Sequence, residues 1–210
     1  MIEQNEGRKP VIHVVEDDAS ARAGVARLLR FAGYDVRTYE SGSELLLHSL
    51  EDAPGCLLLD VKLPGVNGLD LHVALARKVK ALPVVFLTGR GDITMGVRAM
   101  KSGAVDFLTK PVKRETLIGA IEAALQRDAH NRARRAYLDD LHARYDTLTS
   151  RERDVFARVV EGQLNKTIAC ELGMSLRTVK AHRARVMEKL QASSIVDLVR
   201  LAGELDPQRL

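Results

Sequence analysis

Between Val11 and Arg127 the chain alternates short apolar runs with helical patterns, and this alternation restricts its fold more than any other feature. The runs are Val11–Val15, Asp35–Tyr39, Cys56–Asp60, Val84–Leu87 and Asp106–Thr109. Helical periodicity fills the gaps at Ser20–Phe31, Gly42–Leu50, Leu69–Val79 and Ile93–Lys101, and Glu115–Leu125 closes the series. In Ser20–Phe31, for example, Ala21, Val25, Leu28 and Leu29 recur at the spacing of one helix face. Five strands, each followed by a helix, predict an α/β fold with a parallel, doubly wound sheet. Val11–Val15, Cys56–Leu59 and Val84–Leu87 are nearly all apolar, as strands buried on both faces must be.

The remainder of the chain reads differently. Asp128–Asp146 contains neither Gly nor Pro and is rich in Arg, Asp, Ala and His, which suits a continuous helical linker better than a floppy tether. From Thr147 to Leu205 every signal is helical, which predicts a separate four-helix unit. The expected organisation is therefore 1–127, an α/β domain; 128–146, a helical linker; and 147–210, a small all-α domain. Two cysteines, each inside an apolar-periodic segment, argue against a disulfide framework and for a reducing compartment. Met1–Pro10 lacks the apolar core of a signal peptide, and no apolar run approaches the roughly 20 residues that span a bilayer. A soluble, cytoplasmic protein without a membrane partner is expected.

In an open parallel sheet, chemistry gathers where strands end at the carboxyl edge. Those ends carry Glu16-Asp17-Asp18, Asp60, Thr88 and Lys110-Pro111. Carboxylates so close repel one another unless a cation joins them, and a hard divalent ion with oxygen ligands, Mg²⁺ in particular, resolves the conflict. Lys110 offers an ammonium for a further anion and Thr88 a hydroxyl donor. Asp60 then reads as a carboxylate nucleophile toward a phosphoryl group, with Lys110 neutralising developing charge. Asp18, by contrast, suits a helix cap.

The runs VVEDD, LLLDVKLPGVNGLD, LTGRGD and DFLTKP together resemble a response-regulator receiver domain over Val11 to about Leu125. The resemblance implies a flavodoxin-like fold in which Asp60 accepts phosphate from a sensor histidine kinase. It implies Glu16 and Asp17 as the acidic pair, with Asp17, Asp60 and the Lys62 backbone carbonyl ligating Mg²⁺. Glu16 stands where many members have Asp, and its longer arm is expected to act through a metal-bound water. The Lys110–Pro111 bond is expected to be cis. Thr88 and Phe107 are implied as a switch, Thr88 drawn toward the phosphate and Phe107 rotating into the vacated space, with Gly89-Arg90-Gly91-Asp92 lending the loop freedom.

Net charge is +4, and within Leu164–Leu190 six Lys and Arg outnumber two acids, which favours a polyanionic partner. Thr149 and Glu152 form a capping box for a helix whose apolar face is Val155, Phe156, Val159 and Val160. A helix over about Lys166–Leu172, a turn at Gly173-Met174-Ser175 and a helix to Leu190 make a helix-turn-helix. On the second helix Val179, Val186 and Leu190, with His182 nearby, face the core, while Arg177, Lys180, Ala181, Ala184 and Arg185 fall mostly opposite. Small alanines among cations let such a helix enter a major groove, with Lys180 reaching base edges. Thr178 lies in the same first turn, and Arg183, toward the core side, is within snorkelling reach of phosphate. Asn165 and Lys166 suit phosphate binding.

The segments LTSRERDV and GQLNKTIACELGMSLRTVKAHRARVMEKL resemble the LuxR/FixJ-type DNA-binding domain over Leu148 to about Leu201. Linker and receiver motifs together resemble the FixJ-like subgroup. Ala184 offers no hydrogen bond where some relatives carry a longer polar residue, so the operator does not follow by analogy. The combined resemblance implies a phosphorylation-dependent transcription regulator and not an enzyme, homodimeric when phosphorylated, bound to double-stranded promoter DNA, activating transcription with RNA polymerase as a further partner. A phosphatase would need a second acid near Asp60, where Lys62 stands. A phosphorylation-independent scaffold or RNA-binding regulator is disfavoured by the complete acidic set.

Overall fold

The computed structural model describes residues 9–48, 53–64, 68–78, 82–89 and 93–205, which form two compact units meeting at Asn131 and Arg132. In the first, β1 (Val11–Val15), β2 (Asp35–Tyr39), β3 (Gly55–Asp60), β4 (Val84–Thr88) and β5 (Asp106–Thr109) form one sheet in the order β2-β1-β3-β4-β5. Every pairing is parallel. Both central strands β3 and β4 are buried along their whole length, whereas the edge strand β2 alternates between exposed and half-buried residues before ending on buried Tyr39.

Successive side chains on a strand point to opposite faces, so each strand feeds two cores. Leu57, Leu59 and Phe86 pack with Leu45 of α2 (Gly42–Leu47), Leu71 and Leu75 of α3 (Gly68–Lys78) and Ala99 of α4 (Ile93–Lys101). Leu58, Val85 and Leu87 pack instead with Leu29 of α1 (Ala19–Phe31) and with Leu117, Ile121 and Ala124 of α5 (Arg114–Asp146). The sheet is therefore doubly wound, as the apolar runs require.

Parallel register positions the site. Val15 pairs with Leu59, Asp60 with Leu87 and Thr88 with Thr109. The carboxyl ends of β1, β3, β4 and β5 thus lie side by side, and Glu16, Asp60, Thr88 and Lys110, 22 to 94 residues apart in sequence, share one rim. The Lys110–Pro111 bond is cis.

The helices depart from their sequence boundaries in physically readable ways. Asp18 caps α1, its Oδ1 accepting the Ala21 N–H at 2.7 Å. α2 ends at Leu47, with residues 49–50 of the expected Gly42–Leu50 outside the described residues; Val79 of the third helix and residues 90–92 of the expected mobile loop are likewise outside them. α5 is one helix of 33 residues and includes the stretch read as a linker.

In the second unit the capped α6 (Ser150–Val160) is followed by α7 (Asn165–Glu171), α8 (Leu176–Lys189) and α9 (Ile195–Glu204). Leu141 and Tyr145, from the stretch read as linker, lie in its core with Phe156, Ile168, Val179, Val186 and Leu198. Both halves of the Thr149–Glu152 capping box form. Gly173, at φ +63°, ends α7 in the left-handed region, and the Ser175 hydroxyl accepts the Thr178 N–H at 3.1 Å to start α8.

Candidate functional site

At the rim of the sheet, Glu16 and Asp60 are 3% and 6% exposed, while Asp17 is exposed. One carboxylate oxygen from each of the three lies within 4.8 Å of the other two. The Lys110 ammonium donates to Glu16 Oε2 and, at 2.6 Å, to Asp60 Oδ2. The other Asp60 oxygen, Oδ1, accepts the Lys62 backbone N–H at 2.8 Å. Lys62 is thus beside the carboxylate through its N–H, and its side chain is exposed.

Charge states follow from this packing. Burial pushes the Glu16 carboxyl above its ordinary value, the Asp60 charge adds to the rise, and Lys110 opposes it. Burial by itself would lower the Lys110 ammonium, but its hydrogen bonds and charge attraction to Asp60 and Glu16 prevail and raise it. Lys110 is therefore a fixed cation. One ammonium against three carboxylates leaves a net negative site built of hard oxygen donors, a donor set that fits a divalent cation such as Mg²⁺.

Thr88 is fully buried at the end of β4, and its carbonyl accepts the Lys110 N–H at 2.7 Å. Phe107, half-buried on β5, packs against the core beneath α3 and α4. Its ring runs close beside Gly96 of α4, where an added Cβ would stand 3.5 Å from ring Cδ1. Gly96, Val97, Met100, Lys101, Asp106 and Phe107 line an open groove of about 530 Å³.

Two contributors escape a reading of residue types. Gly68, the first residue of α3, lies so near the Asp60 carbonyl oxygen that any Cβ would collide with it. Arg22 turns its guanidinium onto the backbone carbonyls of Glu16 and Asp17. For Gly68 the only signal in the sequence is a glycine eight residues past a strand-end acid; for Arg22 it is a cation in the first turn of α1, where the helix dipole disfavours one.

In the second unit α8 buries Val179 and Val186 and exposes Arg177, Thr178, Lys180, Ala181, Ala184 and Arg185. The two-faced helix of the sequence reading is present. Two of its members are already engaged. The Thr178 hydroxyl is hydrogen-bonded to Ser175 Oγ at 2.8 Å within the helix cap. Half-buried Arg183 donates from Nη1 to Asn165 Oδ1 at 2.9 Å, tying α8 to the start of α7. Sequence spacing places Arg183 toward the core but not onto Asn165, 18 residues away. The Asn165 oxygen accepts from Arg183, and the amide N–H groups are the donors its side chain can turn toward an anionic ligand. Lys166 beside it is exposed, and Leu164, which caps α7, supplies no side-chain hydrogen bond.

Comparison with known proteins converges on the same two units. Residues 12–122 match the model of the response regulator receiver domain, and residues 146–202 match that of bacterial regulatory proteins of the luxR family. The chain is 43% identical over 197 residues to nodulation protein W of Bradyrhizobium diazoefficiens, covering 94% of this chain and 87% of that protein. It is 39% identical over 191 residues to the transcriptional regulatory protein FixJ of Azorhizobium caulinodans, covering 91% and 90%. Among solved structures, the response regulator StyR shares 42% identity at a TM-score of 0.79, covering 94% of this chain and 100% of that one. Full-length FixJ from B. japonicum shares 37% identity at a TM-score of 0.54, with coverage of 94% and 98%. With a carboxylate rim on a doubly wound sheet and a basic helix-turn-helix following it, the chain belongs to the two-component response regulators that join a receiver domain to a LuxR-type DNA-binding domain.

Proposed function

We propose that Asp60 is the phosphoacceptor of this regulator and that its phosphorylation controls promoter binding by α8. The observation that carries this reading is the Lys110 ammonium bound to both Asp60 and Glu16, at a rim shared with Asp17 and Thr88. An Asp60 oxygen attacks the phosphorus of a phosphohistidine on the kinase. A P–O bond forms, the P–N bond breaks, and the imidazole leaves, taking up a proton. Lys110, a fixed cation, offsets charge on the transferring group. Asp17, Asp60 and the Lys62 carbonyl would hold Mg²⁺, with Glu16 assisting, and the bound ion would supply further neutralisation of charge on the phosphoryl group.

Phosphorylation adds acceptor oxygens beside Thr88, and Phe107 sits where a ring can respond. We assign the next step to α4. Val97 and Met100 are about half exposed on its surface, next to the Phe107 groove, and a remodelled α4–β5 face would pair two receivers. Dimer symmetry would then present two helix-turn-helix units to half-sites one helical turn apart. The working boundaries are a receiver at 1–127, a helical linker at 128–146 and a DNA-binding domain at 147–210. Asn165, Lys166, Arg177, Lys180 and Arg185 form the DNA-facing set around Ala181 and Ala184, with Arg183 and Thr178 holding Asn165 and the α8 cap in place. Activation of transcription, through RNA polymerase at the same promoter, and a cytoplasmic location complete the reading. Among the described residues no helix is long and apolar enough to cross a membrane.

The test is acetyl phosphate with Mg²⁺ on the full-length protein and on Asp60→Asn, followed by intact mass, gel filtration and gel shifts on duplex DNA. Wild type should gain one phosphoryl group, dimerise and bind DNA more tightly, and Asp60→Asn should do none of these. Equal dimerisation and DNA binding by treated wild type and Asp60→Asn would refute the mechanism.

A further inference from the structure

Adjacent residues on a strand point to opposite faces, yet the carboxylates of Glu16 and Asp17, consecutive in sequence, both come within 4.8 Å of Asp60. β1 ends at Val15, and the backbone bends at Asp17, so these two residues lie beyond regular strand geometry. Glu16 is held to the sheet through its N–H, which donates to the Tyr39 carbonyl at 3.1 Å. Asp18 is held to α1 through its cap and through its carbonyl, which accepts the Arg22 N–H at 2.9 Å. The intervening carbonyls, those of Glu16 and Asp17, are both met by a single atom, Arg22 Nη1, at 2.6 and 3.2 Å.

Helical side chains lean toward the N-terminus, so position 22 carries its guanidinium back over the β1–α1 loop. The helix dipole works against a cation there, and α1 has no acid in its first turn to offset it. The carbonyl clamp is what holds the half-buried guanidinium in this place.

We propose that Arg22 is a positioning residue for the cation and phosphoryl site, an inference that rests on the function proposed above. By binding two consecutive carbonyls it sets both peptide planes, and with them the directions in which the Glu16 and Asp17 side chains leave the backbone. Arg22 touches neither carboxylate nor Asp60 in this arrangement; it acts through the backbone of the acidic pair. Groups that orient metal ligands from behind typically cost roughly 10- to 100-fold in metal affinity when removed. Both bonds leave one nitrogen, so lysine keeps the charge and enough donors, but its stem is one bond shorter and its ammonium falls short of the point that Arg22 Nη1 occupies between the two carbonyls.

The test titrates Mg²⁺ alone into full-length unphosphorylated wild type, Arg22→Ala, Arg22→Lys and Asp17→Asn by calorimetry, with melting in EDTA as a check on folding. Arg22→Ala should raise the Mg²⁺ Kd roughly 10- to 100-fold, with Arg22→Lys between it and wild type. Melting in EDTA should stay near that of wild type. An unchanged Kd in Arg22→Ala, with binding lost in Asp17→Asn, would overturn the role of Arg22 and leave the site intact. Wild-type affinity in Asp17→Asn would overturn the acidic site itself, and this inference with it. Should Arg22→Ala melt early in EDTA, Arg22→Lys decides: a folded protein with weakened Mg²⁺ binding supports the proposal, and one with wild-type affinity refutes it.

Discussion

Lys110→Met isolates the electrostatic design of the receiver rim, because it keeps the aliphatic stem and deletes only the ammonium. In the wild type that ammonium hydrogen-bonds two carboxylates whose side chains are 4% and 7% exposed, while its own side chain is 24% exposed. Hydrogen bonds to charged groups contribute about 1.5–3 kcal/mol each. The part-exposed lysine is screened by solvent, so the lower end applies to both, for a total of about 3 kcal/mol. This agrees with the about 3–5 kcal/mol lost when one partner of a buried ion pair is removed. In EDTA the variant should therefore unfold about 3 kcal/mol more easily than wild type. Removing the ammonium also leaves the three-carboxylate cluster more negative, so a divalent cation should now do part of its work. At 100 times its Kd a bound ligand stabilises by about 2.7 kcal/mol, and the variant should gain more from Mg²⁺ than wild type does. The assay is urea unfolding followed by circular dichroism, in EDTA and in saturating MgCl₂. The gap between the two proteins should be widest in EDTA and narrow in Mg²⁺. Equal stability in EDTA, or a smaller Mg²⁺ gain in the variant, would refute the reasoning.

Three further outcomes follow from contacts elsewhere. Asn165→Ala and Arg183→Ala should each weaken duplex DNA binding, and the double variant should be no worse than the weaker-binding single, with a coupling of about 1 kcal/mol in the mutant cycle measured by anisotropy; Lys166→Ala should instead lower the salt slope by about one. Glu152 is held below its ordinary value of 4.5: burial opposes this, but Lys189 and the Thr149 cap prevail. Its contribution is present above that value and lost as pH falls through the lowered folded value, so Glu152→Gln should cost about 2 kcal/mol at neutral pH and flatten the acid limb of the unfolding curve. Burial, with the Asp128 charge adding, pushes the Cys56 thiol up to about 12, so at mildly alkaline pH a thiol reagent should label exposed Cys170 and spare Cys56, as peptide mass mapping would show.

Much of the receiver was legible because its signals are local. The bounds of β1, β2, β5 and α4 agree to the residue with the apolar runs and the 3.6-residue pattern, and Asp18, Thr149, Glu152 and Ser175 cap the helices they were expected to cap. A cap depends on residues three apart, and a strand on alternation over five. The extent of α5 was harder, because its polar middle has no apolar face to mark where packing stops, and only the structure shows Leu141 and Tyr145 in the core of the second unit. Gly68 against the Asp60 carbonyl and Arg183 on Asn165 were not legible, since each depends on two segments meeting.

The sequence by itself determined which acids, hydroxyl and lysine end the strands, and which face of α8 carries cations, because hydrophobic periodicity ties each side chain to a face of its own element. Tertiary structure decided what those residues do to one another. Parallel register alone brings Glu16, Asp60 and Lys110 onto one rim, and the ammonium bridge between them exists only there. The direction of Asp17 follows from a backbone turn, held by Arg22, that no pattern of residue types encodes. Periodicity is a property of neighbours along the chain, whereas convergence of charges is a property of the packed sheet.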